Sequence, residues 1–265
     1  MSAALRAVPD FFYQAFLYRE YLKQSVLRDL RIKYKRSVLG YLWTMIHPLA
    51  MMAVLSIVFS HIVRIPVKDY AVFLFSALLA WNYFGSTVMM SLHSIRQNAR
   101  IFSQVPVPKY LAILSISASN MVNLILALVP LLILMVIMGR PLPPSALFFP
   151  VLLVPLFMVT VGLSLILAAS NVFYDDTYHL TEVGLQALYF MTPVLYHRDL
   201  LPAELVRYLV LNPLFCQVEF FRSIFYDGVL PDAQNFALSF AGSFLILLLG
   251  LTIFRRTEDK FMYFV

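Results

Sequence analysis

One cysteine, Cys216, excludes an internal disulfide and a cysteine-based metal cluster. The chain contains no G-x-x-x-x-G-K-[S/T] run, so it has no phosphate-cradling loop of its own for ATP. No Ser/Gly linker divides it and no internal repeat is visible, which leaves one domain. Charge is scarce: 13% of residues are Asp, Glu, Lys or Arg, against about 25% in an average soluble domain. The scarcity is organised. Charged residues are missing from Ser37–Val63, Tyr70–Ile95, Tyr110–Gly139, Pro141–Tyr174, Val183–His197 and Ala233–Phe254. A helix crosses the hydrocarbon core, about 30 Å thick, with roughly 20 apolar residues. Charges are expelled from such stretches because burying one in hydrocarbon costs several kcal/mol. The chain is therefore a polytopic membrane protein, in keeping with a mean hydropathy of +0.81. The N-terminus does not read as a secretory signal, whose apolar region starts sooner.

Spans are expected at 39–62, 72–94, 111–138, 147–170, 181–197 and 235–254. The fifth is the weakest, because its charge-free part is short and Pro193 interrupts it. That break predicts a kinked span or two half-helices. The net charge of +6 has a topological meaning and does not point to nucleic acid. With both termini cytoplasmic, 14 of the 20 basic residues lie inside and 6 outside.

Residues 11–36 place Leu22, Val26, Leu30 and Tyr34 on one helical face, with charges mostly elsewhere. This pattern predicts an amphipathic helix lying on the inner leaflet. Arg28, Arg31, Lys33, Lys35 and Arg36 are answered nearby only by Asp29. They suit anionic lipid or the phosphate oxygens of a substrate.

Between the second and third spans, residues 96–110 read RQNARIFSQVPVPKY. Two helical turns over 96–104 are stopped by Pro106 and Pro108. Arg96 and Arg100 share a face, and this connection holds no acid. It reads equally as a plain basic loop and as a rigid knob fitting a cleft on an ATPase.

Three segments, in order and spacing, carry a resemblance across almost the whole chain. The first is RDLRIKYKRSVLGYLWTMIHPLAMM at 28–52, with Arg28, Asp29, Leu30, Lys33, Tyr34, Lys35, Arg36, Ser37, Leu39, Gly40, Leu42, Trp43 and Pro48 at matching places. The second is NVFYDDTYHLTEVGLQALYFMTPVLY at 171–196, and the third is LNPLFCQVEFFRSIFYDG at 211–228. Together they resemble the permease subunits of type-2 ABC exporters of polysaccharides such as O-antigen, capsule and teichoic acid. One departure is Asp175, which sits where that family often has Arg.

The resemblance implies an all-α membrane domain over 1–265: an interfacial segment, 1–36, then a six-helix bundle, 37–265, with a broken, re-entrant fifth span. It implies a homodimer in the bacterial inner membrane, paired with two separate ATPase subunits that bind ATP and Mg. No cofactor is then expected on this chain, which is not itself an enzyme. The cargo would be a polysaccharide linked to a polyprenyl pyrophosphate, as in lipopolysaccharide biosynthesis. Arg96, Gln97, Asn98, Arg100, Ile101, Phe102 and Gln104 would couple to the ATPase. Arg28, Arg31, Lys33, Tyr34, Lys35 and Arg36 would meet substrate phosphate. A glycan path has to be hydrated without being strongly charged, and aromatic rings stack on sugar faces while their polar atoms hydrogen-bond. Tyr41, Trp43, Trp81, Tyr83, Tyr189, Phe190, Pro193 and Tyr196 are the candidates for its lining and gate. Glu219 and Arg222, at i and i+3, read as a local surface bridge.

The rival readings are weaker. A secondary transporter needs an intramembrane ionisable group for a coupling ion, and five of the six expected spans offer none; a channel for a small solute is the companion alternative. A membrane enzyme would need clustered Asp, His or Glu, whereas the adjacent Asp175 and Asp176 point apart on a helix. The orientation is testable in intact cells with an impermeant thiol reagent added outside. Cysteines at Ser2, Gln97 and Thr257 should be shielded and cysteines at Pro66 and Ala203 should react. Labelling at Gln97 would reverse the topology.

Overall fold

The computed structural model describes residues 3–34, 42–58 and 69–264, and among these every regular element is helical. The chain begins with α1 (Ala3–Leu17) and α2 (Arg19–Tyr34), separated by a turn at Tyr18. The helix expected over 11–36 is thus two helices. Its apolar face does form, but Leu30 is buried and Leu22 and Val26 are half-buried, because α2 packs on protein. Most exposed apolar side chains of this region are on α1 instead, Phe12, Tyr13, Phe16 and Leu17, with Leu27 on α2. Periodicity identified a buried face without saying whether lipid or protein buries it.

Then follow α3 (Trp43–Ile57), α4 (Tyr70–Leu92), α5 (Ser94–Gln97), α6 (Ala99–Gln104), α7 (Tyr110–Ile137) and α8 (Phe149–Phe173). The last part comprises α9 (Asp176–Met191), α10 (Ala203–Leu209), α11 (Pro213–Arg222) and α12 (Ala233–Thr257). Four helical stretches among the described residues are long and apolar enough to cross a membrane: Tyr70–Leu92, Tyr110–Ile137, Pro144–Phe173 and Ala233–Tyr263. They match the second, third, fourth and sixth expected spans. The first expected span, 39–62, extends beyond the described residues on both sides of α3. The fifth falls short for a physical reason. α9 has 16 residues, about 24 Å at 1.5 Å per residue, and it carries Asp176 and Glu182.

The most enclosed span is α4. Its most apolar window is 72% buried, against 28% for α12. It packs on α3, α7, α8 and α11, so its Phe73, Phe75 and Phe84 form the middle of the larger apolar core. A second core joins α1 to the ends of α7, α8 and α12. There Phe11, fully buried, lies against the Tyr110 ring at 5.1 Å, and Arg255 reaches Asp10 at 2.7 Å.

The connections sort into two ends of the bundle. At one end, Asp69 holds Arg140 at 2.9 Å, and Arg140 donates to the Tyr226 carbonyl at 3.1 Å. Asp69 takes a left-handed conformation, φ 51°, as it turns the chain into α4. At the other end, Tyr18 donates to the Pro106 carbonyl and Lys109 to the Glu258 carbonyl. The first, third and fifth connections thus meet at one end, and the termini and the second connection at the other.

The most extensive helix pair is α8 with α12. It rests on two glycines. A Cβ at Gly162 would lie 2.6 Å from the Leu247 backbone nitrogen, and one at Gly250 would collide with the Gly162 carbonyl. In lipid, where apolar contact with another helix offers little over contact with acyl chains, such close backbone approach gives association its packing energy. Gly162→Ala and Gly250→Ala should each lower stability by about 1–3 kcal/mol, the range for overpacking. Gly184→Ala, at an open position on α9, should be neutral or slightly stabilising. Thermal unfolding of the three variants in detergent checks the order.

Candidate functional site

Three features gather polar groups: the segment between α4 and α7, the cavity beside it, and the turn that ends α9. The first is a helix-break-helix. α5 follows α4 after a break at His93, α6 follows after Asn98, and the backbone becomes extended at Val105 ahead of Pro106. The residue before a proline is pushed out of the helical region, which sets this stop. Gln97, Arg100 and Gln104 are exposed, Asn98, Ile101 and Phe102 half-buried, and α6 has no buried residue. The segment is therefore a projecting knob.

Arg96 is not the exposed partner of Arg100 that the spacing suggests. Its Nη1 donates to the Asp175 carboxylate and its Nη2 to the Val172 carbonyl at 3.3 Å. The acid absent from the second connection arrives from the fourth, 79 positions along the chain. Arg100 remains exposed.

Beside the knob, α2, α4, α5 and α7 enclose a cavity of about 610 Å³, within the range of small-molecule sites. Arg28 and Asp29 stand in its wall, paired with each other at 3.1 Å, together with His93, Gln97 and Asn98. Ser115, Ser119, Asn120 and Asn123 line it along one face of α7. Asn120 donates to Thr87 at 3.1 Å, and Asn123 to Asn120 at 3.3 Å. This stripe escaped the sequence reading, although polar residues at i, i+4, i+5 and i+8 in a charge-free span were its visible signal. Of the basic residues expected at this place, Arg28 lines the cavity and Arg31 is exposed elsewhere on α2. Lys35, Arg36 and Tyr41 lie outside the described residues, as do the side chains of Lys33 and Tyr34.

The helix α9 stops at Met191, and Thr192–Leu195 form a buried turn. A proline here leaves carbonyls without helical partners. Arg222 answers them: its Nη2 donates to the Pro193 carbonyl at 2.6 Å and to that of Val194 at 3.1 Å. Its Nη1 donates to Glu219 at 2.6 Å, and its guanidinium lies 3.7 Å from the Phe73 ring centroid. Tyr70 adds a bond from its hydroxyl to the Leu195 carbonyl at 2.7 Å. The i,i+3 pair read as a surface bridge is thus a buried clamp, with Arg222 only 1% exposed. Desolvation pushes the Glu219 carboxyl up and the Arg222 guanidinium down, and each partner's charge opposes the other's shift. Next to this clamp, burial raises the Cys216 thiol to about 12, so it is an inert filler.

The aromatic candidates separate. Trp81 and Tyr189 meet at 5.1 Å and Tyr189 and Phe190 at 5.5 Å, with Phe190 exposed. Tyr196 donates to the Phe190 carbonyl at 2.8 Å. Trp43 is exposed on α3. Tyr83 stands apart: it is buried between α4 and α7 with its hydroxyl 2.6 Å from Ser117. Pro193 is enclosed as well, so neither of the two presents an accessible surface.

Comparison with known proteins gives a consistent result. A family model described as ABC-2 type transporter matches residues 20–226. The O-antigen export system permease protein RfbA of Myxococcus xanthus is 30% identical over 250 residues, covering 94% of this chain and 96% of that protein. Its namesake from Klebsiella pneumoniae is 28% identical over 237 residues, covering 88% and 90%. The polysialic acid transport protein KpsM of Escherichia coli is 25% identical over 241 residues, covering 89% and 93%.

The clamp yields a stability test. Arg222→Ala leaves Glu219 buried without its partner and two carbonyls unanswered, so it should cost roughly 3–5 kcal/mol. Replacing the pair together, Arg222→Met with Glu219→Leu, removes the stranded charge but not the unmet carbonyls, and should recover only part of the loss. Full recovery in thermal unfolding would mean that the carbonyl bonds contribute nothing.

Proposed function

The chain belongs to the ABC-2 type transporter family, and from that membership we propose that it is the membrane subunit of an ATP-driven polysaccharide exporter. The observation that carries this reading is end-to-end similarity to permeases named for O-antigen and polysialic acid export, in both directions of coverage. The cargo is proposed to be an O-antigen-like polymer attached to a polyprenyl pyrophosphate, moved across a bacterial inner membrane. The energy comes from a separate ATPase subunit, because the sequence holds no phosphate-cradling loop. Two copies of this chain and two ATPase subunits make the working unit. Each copy crosses the membrane six times, with α3 and α9 providing the first and fifth crossings and both termini in the cytoplasm.

Within that scheme each part of the site takes a proposed role. The knob of α5 and α6 is the ATPase contact, and exposed Gln97, Arg100 and Gln104 with half-buried Phe102 form its surface. Support comes from its shape: a short helix on a proline stop transmits force without yielding. The cavity between α2 and α7 is the place where the lipid-linked substrate is first held. Its wall combines apolar Met89, Met90 and Ile116 with amides and hydroxyls, as an amphiphile requires, and Arg28 reaches phosphate oxygens by charge-assisted bonds. α1 lies in the inner leaflet on Phe12, Tyr13, Phe16 and Leu17. Trp81, Tyr189 and Phe190 offer rings to sugar along the glycan path.

The experiment uses inside-out vesicles loaded with purified protein. This chain alone should not hydrolyse ATP, and with its ATPase subunit it should move lipid-linked polymer only when ATP is supplied. ATP turnover by the isolated chain, or flux driven by an ion gradient without the ATPase, would overturn the reading.

A further inference from the structure

The helix α9 is held firmly at its ends and loosely between them. Only Thr181 is buried along its 16 residues, and Leu180, Val183, Phe190 and Met191 are exposed. At its start, Asp175 receives the Arg96 guanidinium from α5, which also grips the Val172 carbonyl where α8 ends. Two neighbours reinforce this junction. The His93 ring lies 4.9 Å from that of Tyr178, and Asn171 donates to the Leu92 carbonyl at 3.0 Å. At its finish, the Thr192–Leu195 turn is fixed by Arg222 and Tyr70. A single helix thus joins the knob to the buried turn at the opposite end of the bundle.

We propose that Arg96 and Asp175 are the positioning residues that link the α5–α6 knob to α9, so that displacement of the knob is delivered to the turn at Pro193. A helix carries a push along its axis because its backbone bonds are already made, and weak lateral packing lets it shift as one rod. The pair suits this role better than a stabilising one. It is partly exposed, at 35% and 79% for the two side chains, and exposed pairs contribute little to folding. Its value is directional: two bonds from one planar guanidinium fix the angle between α5 and the α8–α9 junction. Neither partner is explained by the knob's surface, since the Arg96 guanidinium is turned to Asp175 and the Val172 carbonyl. The inference rests on the exporter reading, because the knob has to be driven.

The test uses the complex of this chain with its ATPase subunit. Arg96→Asp and Asp175→Arg singly should leave the thermal stability near wild type, and Asp175→Arg, which lies outside the knob, should also leave the ATPase association and the rate of ATP hydrolysis unchanged. Polymer moved per ATP should fall by about tenfold, in the range of ordinary coupling between sites. The double variant, with the charges exchanged, should restore most of it. A second readout needs no transport. Nucleotide should change the reactivity of a cysteine at Met191 in the wild type and the exchanged pair, and not in the single variants. Full export by the single variants would overturn the link. Loss of ATPase association that the exchange does not repair would overturn it too, making Arg96 a docking residue. If the wild-type complex moves no polymer while the Met191 probe still responds through the pair, the exporter reading fails and the link stands.

Discussion

The turn just past the end of α9 buries carbonyl oxygens that no helix satisfies, and this protein answers them with one buried guanidinium. Buried irregular backbone survives only when protein or water meets its polar groups. Arg222 supplies both bonds, Glu219 balances its charge and Phe73 takes its open face. The parts come from three places in the chain: α11 brings Arg222 and Glu219, α4 brings Phe73, and the turn after α9 brings the carbonyls. The end of α9, the position of α11 and the burial of α4 are consequently one arrangement.

Against that arrangement the rest of the bundle divides by stiffness. α8 and α12 meet backbone to backbone at Gly162 and Gly250, where no side chain can cushion a shift. α4 is enclosed on most sides. α9, by contrast, is tethered through polar contacts at its ends and packs on the core along one side only, through Leu185, Leu188 and Tyr189. Dense apolar packing resists rearrangement because interiors are close-packed, whereas a polar tether exchanges partners readily. That difference in packing lies between neighbouring helices here.

The legible part of the fold was what charge and proline control. Charge-free windows located α4, α7, α8 and α12, and Pro193 marked the end of α9 within two residues. The knob stopped where Pro106 and Pro108 required. What periodicity cannot supply is the identity of the neighbour. The face of Leu22, Val26 and Leu30 was visible, but its burial by protein was not, and Phe11, which anchors α1, gave no separate signal. Partners far apart in the chain were also beyond reach. Asp175 could be singled out as unusual, but its service to Arg96 depends on α5 and α9 meeting in space. The i,i+3 spacing of Glu219 and Arg222 identified the pair and missed its burial, because the carbonyls that hold it are 28 and 29 positions away.

Gln97 and Asn98 belong to two structures at once, the projecting knob and the wall of the cavity beside α2. Shared residues impose a thermodynamic identity. Whatever displaces them from one side alters the free energy of occupancy on the other, and by reciprocity the two effects are equal in magnitude. A molecule lodged in the cavity and a protein gripping the knob are then mutual effectors, without any longer route between them.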